Sequence, residues 1–255
     1  MPVRNTGRVQ GIASYAGFAA GLFALTGLTV ALARWARIGL GWFPLVVVVR
    51  ATVQLAVVAA LLRGILAVPW TVAAFVVLML TTASWTSGRR IRELWHGRRI
   101  AAVGVLAGAG VALVAIFALQ LVDLGVRNLV AVAGIVIGNS MSAATLSGRN
   151  FRRSAHARRD EIEGWLSLGA TPTQAHEEIG HEAVREALLP TLDQTKSTGL
   201  VTLPGAFVGA LFGGASPVEA AQFQLVVLAG VALAMTLTGV VVTRLAGCTP
   251  YVVES

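Results

Sequence analysis

The stretch EIEGWLSLGATPTQA, Glu161 to Ala175, is polar and broken, in a chain otherwise built of long apolar runs. Ile162, Trp165 and Leu166 fall at i, i+3 and i+4, which predicts a short amphipathic helix with one apolar face. Gly169 suits the position just past a helix end. Thr171-Pro172-Thr173-Gln174 then reads as a fresh start, with Thr171 as N-cap, Pro172 at the first helical position and Gln174 closing a capping box. Two short helices thus meet at a tight break. A narrow apolar face among acids such as Glu161 and Glu163 has the form of a knob that docks in a partner's groove.

The surroundings of that knob place it at a membrane. Of 255 residues, 56% are hydrophobic and 13% charged. The mean hydropathy of +0.75 lies far above that of a water-soluble domain. The composition predicts an all-α polytopic membrane protein. The net charge of +8 is carried almost wholly by arginine, Lys196 being the only lysine. These arginines flank apolar runs instead of forming a groove with interleaved aromatics, so nucleic-acid binding is not expected. Cys248 stands alone, which excludes an internal disulfide and any Cys/His zinc spacing, and it reads as a structural cysteine near a helix end.

Runs of about 20 mostly apolar residues can cross the hydrocarbon as helices. Seven are predicted, approximately at 12 to 33, 41 to 62, 66 to 86, 100 to 121, 128 to 147, 196 to 214 and 223 to 245. The fifth and sixth are diluted by Asn139, Ser140, Pro204 and glycines, so either can be broken or re-entrant. The first is too long for a signal-peptide core and reads as a retained span. Arginines concentrate in 34 to 40, 87 to 99 and 148 to 195, while the alternate set carries only Arg4, Arg8, Arg63 and Arg127. The positive-inside rule then puts the N-terminus outside and the C-terminus in the cytoplasm. The organisation expected is one transmembrane domain over 1–255 with a cytoplasmic helical loop at about 148–195. That loop opens basic and turns acidic, as a solvated arm beside anionic lipid would.

Polar residues inside spans are candidates for a pathway. An arginine at mid-bilayer costs at least about 2.5 to 3.5 kcal/mol. Arg50 therefore either lines a cavity for an anionic group, with Gln54 one turn on, or snorkels to the headgroups. Asn139, Ser140 and Met141 in the fifth span, with Ser142 and Thr145 near them, and Gln224 in the last are further pathway candidates; hydrogen bonding between helices explains the polar ones equally well. Gly205, Gly209 and Gly213 stand four apart, a tandem GxxxG face for close helix packing, or for a subunit interface or gate.

Glu163, Gly169 and Ile179 are spaced as in the "EAA" loop of ABC-transporter permeases, although Gly164 and Trp165 replace the two alanines and Leu189-Pro190 comes late. Downstream, LPTLDQTKSTGLVTLPGAFVGALFGGASPVEAAQFQLVVLAG, together with GIVIGNSMSAATLSGRN from Gly134 and RATVQL from Arg50, resembles the Fet-type iron-export permease family. That family includes plant relatives linked to aluminium tolerance and UDP-glucose export. The resemblance spans Arg50 to about Gly247. It implies a permease subunit of an ABC exporter in the cell (inner) membrane, working as a homodimer with a separate ATPase subunit that binds ATP-Mg. Coupling would run through Glu161, Glu163, Trp165, Gly169, Thr171 and Pro172, and the cargo would be iron or another metal.

The remaining motifs fail on spacing. DQTKST lacks the glycines of a Walker A loop, so this chain binds no nucleotide cofactor of its own. His176 and His181 are five apart where HExxH needs four, and they read as solvated surface histidines. GAGVAL at Gly108 misses the dinucleotide pattern. No carboxylate pair or nucleophile triad lies in the spans, which argues against an enzyme. The metal-binding residues are not identified: the histidines lie in loops, and Met79, Met141 and Met235 suit a hard cation poorly. An autonomous secondary transporter or channel, and a nucleotide-sugar exporter, are the alternatives.

Overall fold

The computed structural model describes the backbone of residues 6–65 and 69–249, and the side chains of 17–61 and 71–249. Arg4, Arg8 and Arg63, which enter the orientation count, lie outside the described side chains. Two compact units divide the chain, Met1–Ala67 and Val68–Ser255. Among the described residues the secondary structure is helical throughout apart from one isolated bridge, Thr198 with Thr202.

The first unit holds α1 (Thr6–Trp35) and α2 (Phe43–Ile65), which pack on each other. Their short connection turns through Arg37, Gly39 and Gly41, all at positive φ. Thr26, Val30 and Ala33 of α1 are buried, whereas no residue in the apolar stretch of α2 is. The Arg34 guanidinium lies 4.5 Å over the Trp42 ring and closes the turn.

The second unit is built on α3 (Pro69–Arg90), α4 (Gly97–Ala118), α5 (Val126–Ala157), α6 (Arg159–Ser167), α7 (Pro172–Ala175), α8 (Glu177–Lys196), α9 (Gly205–Phe212) and α10 (Pro217–Gly247). Its centre is the seam between α4 and α10, where lipid-like apolarity gives no net drive and close packing must hold the helices together. Gly104 and Gly108, four apart on α4, make that approach possible. A Cβ on Gly104 would meet Val242 at 2.6 Å, and one on Gly108 would lie 2.5 Å from the Ala234 carbonyl oxygen. Gly230 admits Ile116, and Gly239 admits Ser147 of α5 and Val184 of α8. Val105, Ala109, Val136, Ala144, Ala234 and Val242 fill the seam. The glycine of the failed GAGVAL motif is therefore a packing residue.

Among the described residues, six helices are long and apolar enough to cross a bilayer: α1, α2, α3, α4, α5 and α10. The stretch 196–214, expected as the sixth of seven spans, is broken. Lys196 ends α8, Gly199 takes φ +92°, and Ser197 and Thr198 turn their hydroxyls back to the Gln194 carbonyl. Pro204, without a backbone N–H, then starts the eight-residue α9. The segment 148–195, expected as a helical loop, is helical over most of its length. α5 runs on through Ala157, and α8 lies along α5 and α10 with Ile179, Gly180, Ala183, Val184 and Ala187 buried. The opposite charges of this segment pair with one another: Arg158 reaches Glu161 and Glu182, and Arg159 reaches Glu163.

Candidate functional site

Two features stand out in the second unit, an exposed elbow and a cavity with a polar stripe in its wall, and α8 runs from one to the other. The elbow is α6, a break, and α7. Leu168 and Gly169 close α6, with Gly169 at φ +90°, where a Cβ would be strained. Thr171 caps α7: its hydroxyl accepts from the Gln174 backbone N–H at 3.4 Å, and the Gln174 side chain accepts from the Thr171 N–H at 2.9 Å. Pro172 takes the first helical position, as the sequence predicts. The apolar face divides differently from its spacing. Ile162 is fully buried and Leu166 packs on the core, but Trp165 and Leu168 stay 52% and 83% exposed. Glu161 and Glu163 are about half exposed, each in an ion pair.

His176 joins α7 to α8 and is buried, contrary to the solvated histidine expected from its polar neighbours. Its ring stacks on Phe151 at 5.6 Å between centroids, and Nδ1 lies 2.7 Å from the Pro172 carbonyl oxygen. Across from it, the end of α10 closes in: a Cβ on Gly247 would lie 3.2 Å from the His176 Cβ. Cys248, exposed at the end of α10, donates its Sγ–H to the Arg244 carbonyl and sits 3.7 Å from the Thr173 hydroxyl. His181 is exposed.

From the elbow, α8 runs to a cavity of about 1230 Å³. Thr191, Gln194 and Thr195 at its far end supply one wall; Asn128, Ala131, Ile135 and Asn139 of α5 supply another. α10 contributes Gln222 and Gln224, and α9 turns its small face, Gly205, Gly209 and Gly213, towards the space. Asp123, Arg127 and Glu219 stand at the rim where α5 and α10 begin.

The candidate residues sort against this geometry. Asn139 and Gln224 are in the cavity wall. Asn139 donates to the Ile135 carbonyl at 2.8 Å. Gln224 accepts from the Phe207 N–H at 3.2 Å and so supplies the cap that Pro204 cannot give α9. Ser140 is fully buried, and Met141 packs against the core; neither lines the cavity. Ser142 and Thr145 bond to their own helix four residues back, and not between helices. Nothing lies within 4 Å of a Cβ on Gly205 or Gly209, so among the described residues these glycines pack no helix. Arg50 and Gln54 lie exposed on α2, in the other unit. Thr191 and Gln194 escaped the sequence reading. With Thr195 and Thr198 they fall at i, i+3, i+4 and i+7, a polar stripe that could have marked them. Among the described residues, no three His, Cys, Asp or Glu side chains gather where they could hold a metal ion.

These features define a multi-pass helical membrane protein in which a capped, exposed elbow is tied by α8, and by the helices it packs on, to a cavity of mixed polar and apolar lining. The chain belongs to the uncharacterised protein family UPF0014, whose model matches residues 18–249. It is 36% identical over 225 residues to "UPF0014 membrane protein STAR2" of Oryza sativa subsp. japonica, covering 87% of this chain and 79% of that protein. It is 33% identical over 176 residues to "Protein ALUMINUM SENSITIVE 3" of Arabidopsis thaliana, covering 69% and 64%. With "Probable iron export permease protein FetB" of Escherichia coli (strain K12) it shares 31% identity over 182 residues, 70% of each chain. The resemblance carried by RATVQL, GIVIGNSMSAATLSGRN and the segment from Leu189 is thereby borne out. No solved structure matches the chain.

Proposed function

We propose that this chain is the transmembrane permease subunit of an ABC exporter, acting as a homodimer with a separate ATPase subunit that binds and hydrolyses ATP-Mg. The observation that carries this reading is the continuity of α8, which begins at the elbow beside His176 and ends in the cavity wall at Thr191, Gln194 and Thr195. A push on the elbow reaches the cavity through a helix packed on α5 and α10 along its buried face. Trp165 and Leu168 form the apolar knob, Gly169 and the Thr171 cap fix its angle, and Glu161 and Glu163 border it. The orientation that goes with this reading puts the elbow and the C-terminus in the cytoplasm and the N-terminus outside, in the cell membrane.

By the name of the Escherichia coli relative, the cargo is iron or another metal. The cavity wall favours transient hydrogen bonding over a fixed ligand set. Amides and hydroxyls such as Asn139, Gln194, Thr195 and Gln224 suit a cation that keeps part of its water or chelator, and they let it leave. The test is co-purification and ATPase assay of the reconstituted complex. Gly169→Arg, strained at φ +90° and bulky at the tip, should abolish co-purification with the ATPase subunit, and Trp165→Ala should weaken it by about tenfold or more, as loss of a buried aromatic anchor does. Stimulation of ATP hydrolysis by Fe²⁺, lost in Asn139→Leu, is expected. Full complex formation by Gly169→Arg would refute the coupling role.

A further inference from the structure

The turn joining α3 to α4 carries five arginines that the fold leaves uncompensated. Arg89 and Arg90 close α3, Arg92 lies in the turn, Arg98 and Arg99 open α4, and all five are exposed. The turn's one carboxylate, Glu93, is taken by Arg152 of α5. Among the described residues, none of the five pairs with an acid. The frame that displays them is fixed. Ile91 and Leu94 are buried, and a Cβ on Gly148 of α5 would meet Ile91 at 2.8 Å.

The depth of this cluster follows from its neighbours. It sits between two helices each long and apolar enough to span a bilayer, Thr71–Arg90 and Gly97–Ala118, so it lies where hydrocarbon gives way to headgroups. Trp85 and Trp95 are 61% and 45% exposed at the same level. Trp85 precedes Arg89 by one helical turn, and the Arg98 guanidinium lies 5.6 Å from its ring centre. Tryptophan prefers this boundary, with its ring among the upper chains and its N–H in the wet layer. An arginine fork beside it matches the paired oxygens of a phosphate.

We propose that the α3–α4 turn is a binding site for anionic phospholipid headgroups, in which the five arginines hold phosphate and Trp85 and Trp95 rest on the glycerol and first methylenes. An acidic soluble partner would also meet the arginines, but it would leave two exposed indoles at the ends of membrane spans with nothing apolar to cover them. The lipid satisfies both halves of the patch. This site depends on neither the ATPase nor the cargo.

The test uses the full chain with Trp35, Trp42, Trp70 and Trp165 changed to Phe, so that emission reports Trp85 and Trp95. The protein is reconstituted in phosphatidylcholine vesicles containing brominated phosphatidylglycerol or, at equal mole fraction, brominated phosphatidylcholine. Stronger quenching by the anionic lipid is expected, and the preference should collapse in about 1 M salt, where charges are screened within about 3 Å. Arg98→Gln and Arg99→Gln should each lower the relative affinity by up to about fivefold. Where a glutamine variant fails to fold, the salt titration of the parent decides. Equal quenching by the two lipids, or a preference unchanged by salt, would each overturn the proposal.

Discussion

Gly108 shows how much a single missing side chain does in this protein. Its Cβ would lie 2.5 Å from the backbone oxygen of Ala234, an atom that cannot swing away as a side-chain tip can. Gly108→Ala must therefore part α4 from α10 along the central seam, at a cost of about 1–3 kcal/mol. Gly110, two residues on in the same helix, has nothing within 4 Å of its Cβ. There, alanine relieves the helix-propensity penalty of glycine, worth up to about 1 kcal/mol. Thermal unfolding in detergent should separate the two variants in opposite directions, Gly108→Ala lower than the parent and Gly110→Ala level or higher. Equal shifts would mean that the seam yields more easily than its backbone contacts imply. The pair also shows what sequence alone makes visible. A GxxxG spacing occurs on α4 and again at Gly205, Gly209 and Gly213, and only the three-dimensional partners tell that the first packs a helix while Gly205 and Gly209 of the second face open space.

At the scale of elements, the elbow was the most legible part of the chain because its signals are local. Gly169, Thr171, Pro172 and Gln174 act on backbone atoms within three residues of themselves, so spacing alone fixes their roles. Thr171→Ala removes the hydroxyl that accepts from the Gln174 N–H and should cost α7 about 1 kcal/mol. Because α7 is a single turn, the loss should appear as faster amide exchange at Gln174 and Ala175, with the α4–α10 seam unaffected; exchange unchanged there would mean that packing alone holds the turn. The broken sixth crossing was legible only in part. Pro204 and the glycines signal a break, but the cap on α9 comes from Gln224 on another helix, and no local pattern announces such a partner. The burial of His176 was hidden for the same reason: its polar neighbours point to solvent, while the Phe151 ring and the end of α10 that enclose it are brought in by tertiary packing. The division of Trp165 from Ile162 likewise depends on which side of α6 meets the core, which periodicity does not specify.

Over the whole molecule, the decisive relation is between the elbow and the cavity, which lie at opposite ends of α8. The first part of that helix, through Ala187, is buried against α5 and α10, and its last turns line the cavity. Pro190 falls between the two parts, where it withholds one backbone hydrogen bond and marks the place where the helix can bend. If α8 transmits force as a strut, its continuity matters more than any one of its side chains. Three glycines inserted between Leu188 and Leu189 would leave the elbow, the capping box and the buried face in place while making the connection to Thr191, Gln194 and Thr195 compliant. The expected phenotype is specific: the ATPase subunit still co-purifies and still hydrolyses ATP, but transport falls by at least about tenfold and cargo no longer stimulates hydrolysis. Loss of co-purification as well would point to a collapsed elbow, which Trp165 emission would report as a change in exposure. Undiminished transport with the insertion in place would sink the strut, because the cavity would then be opening through α5 or α10, which also run from the elbow to the cavity wall.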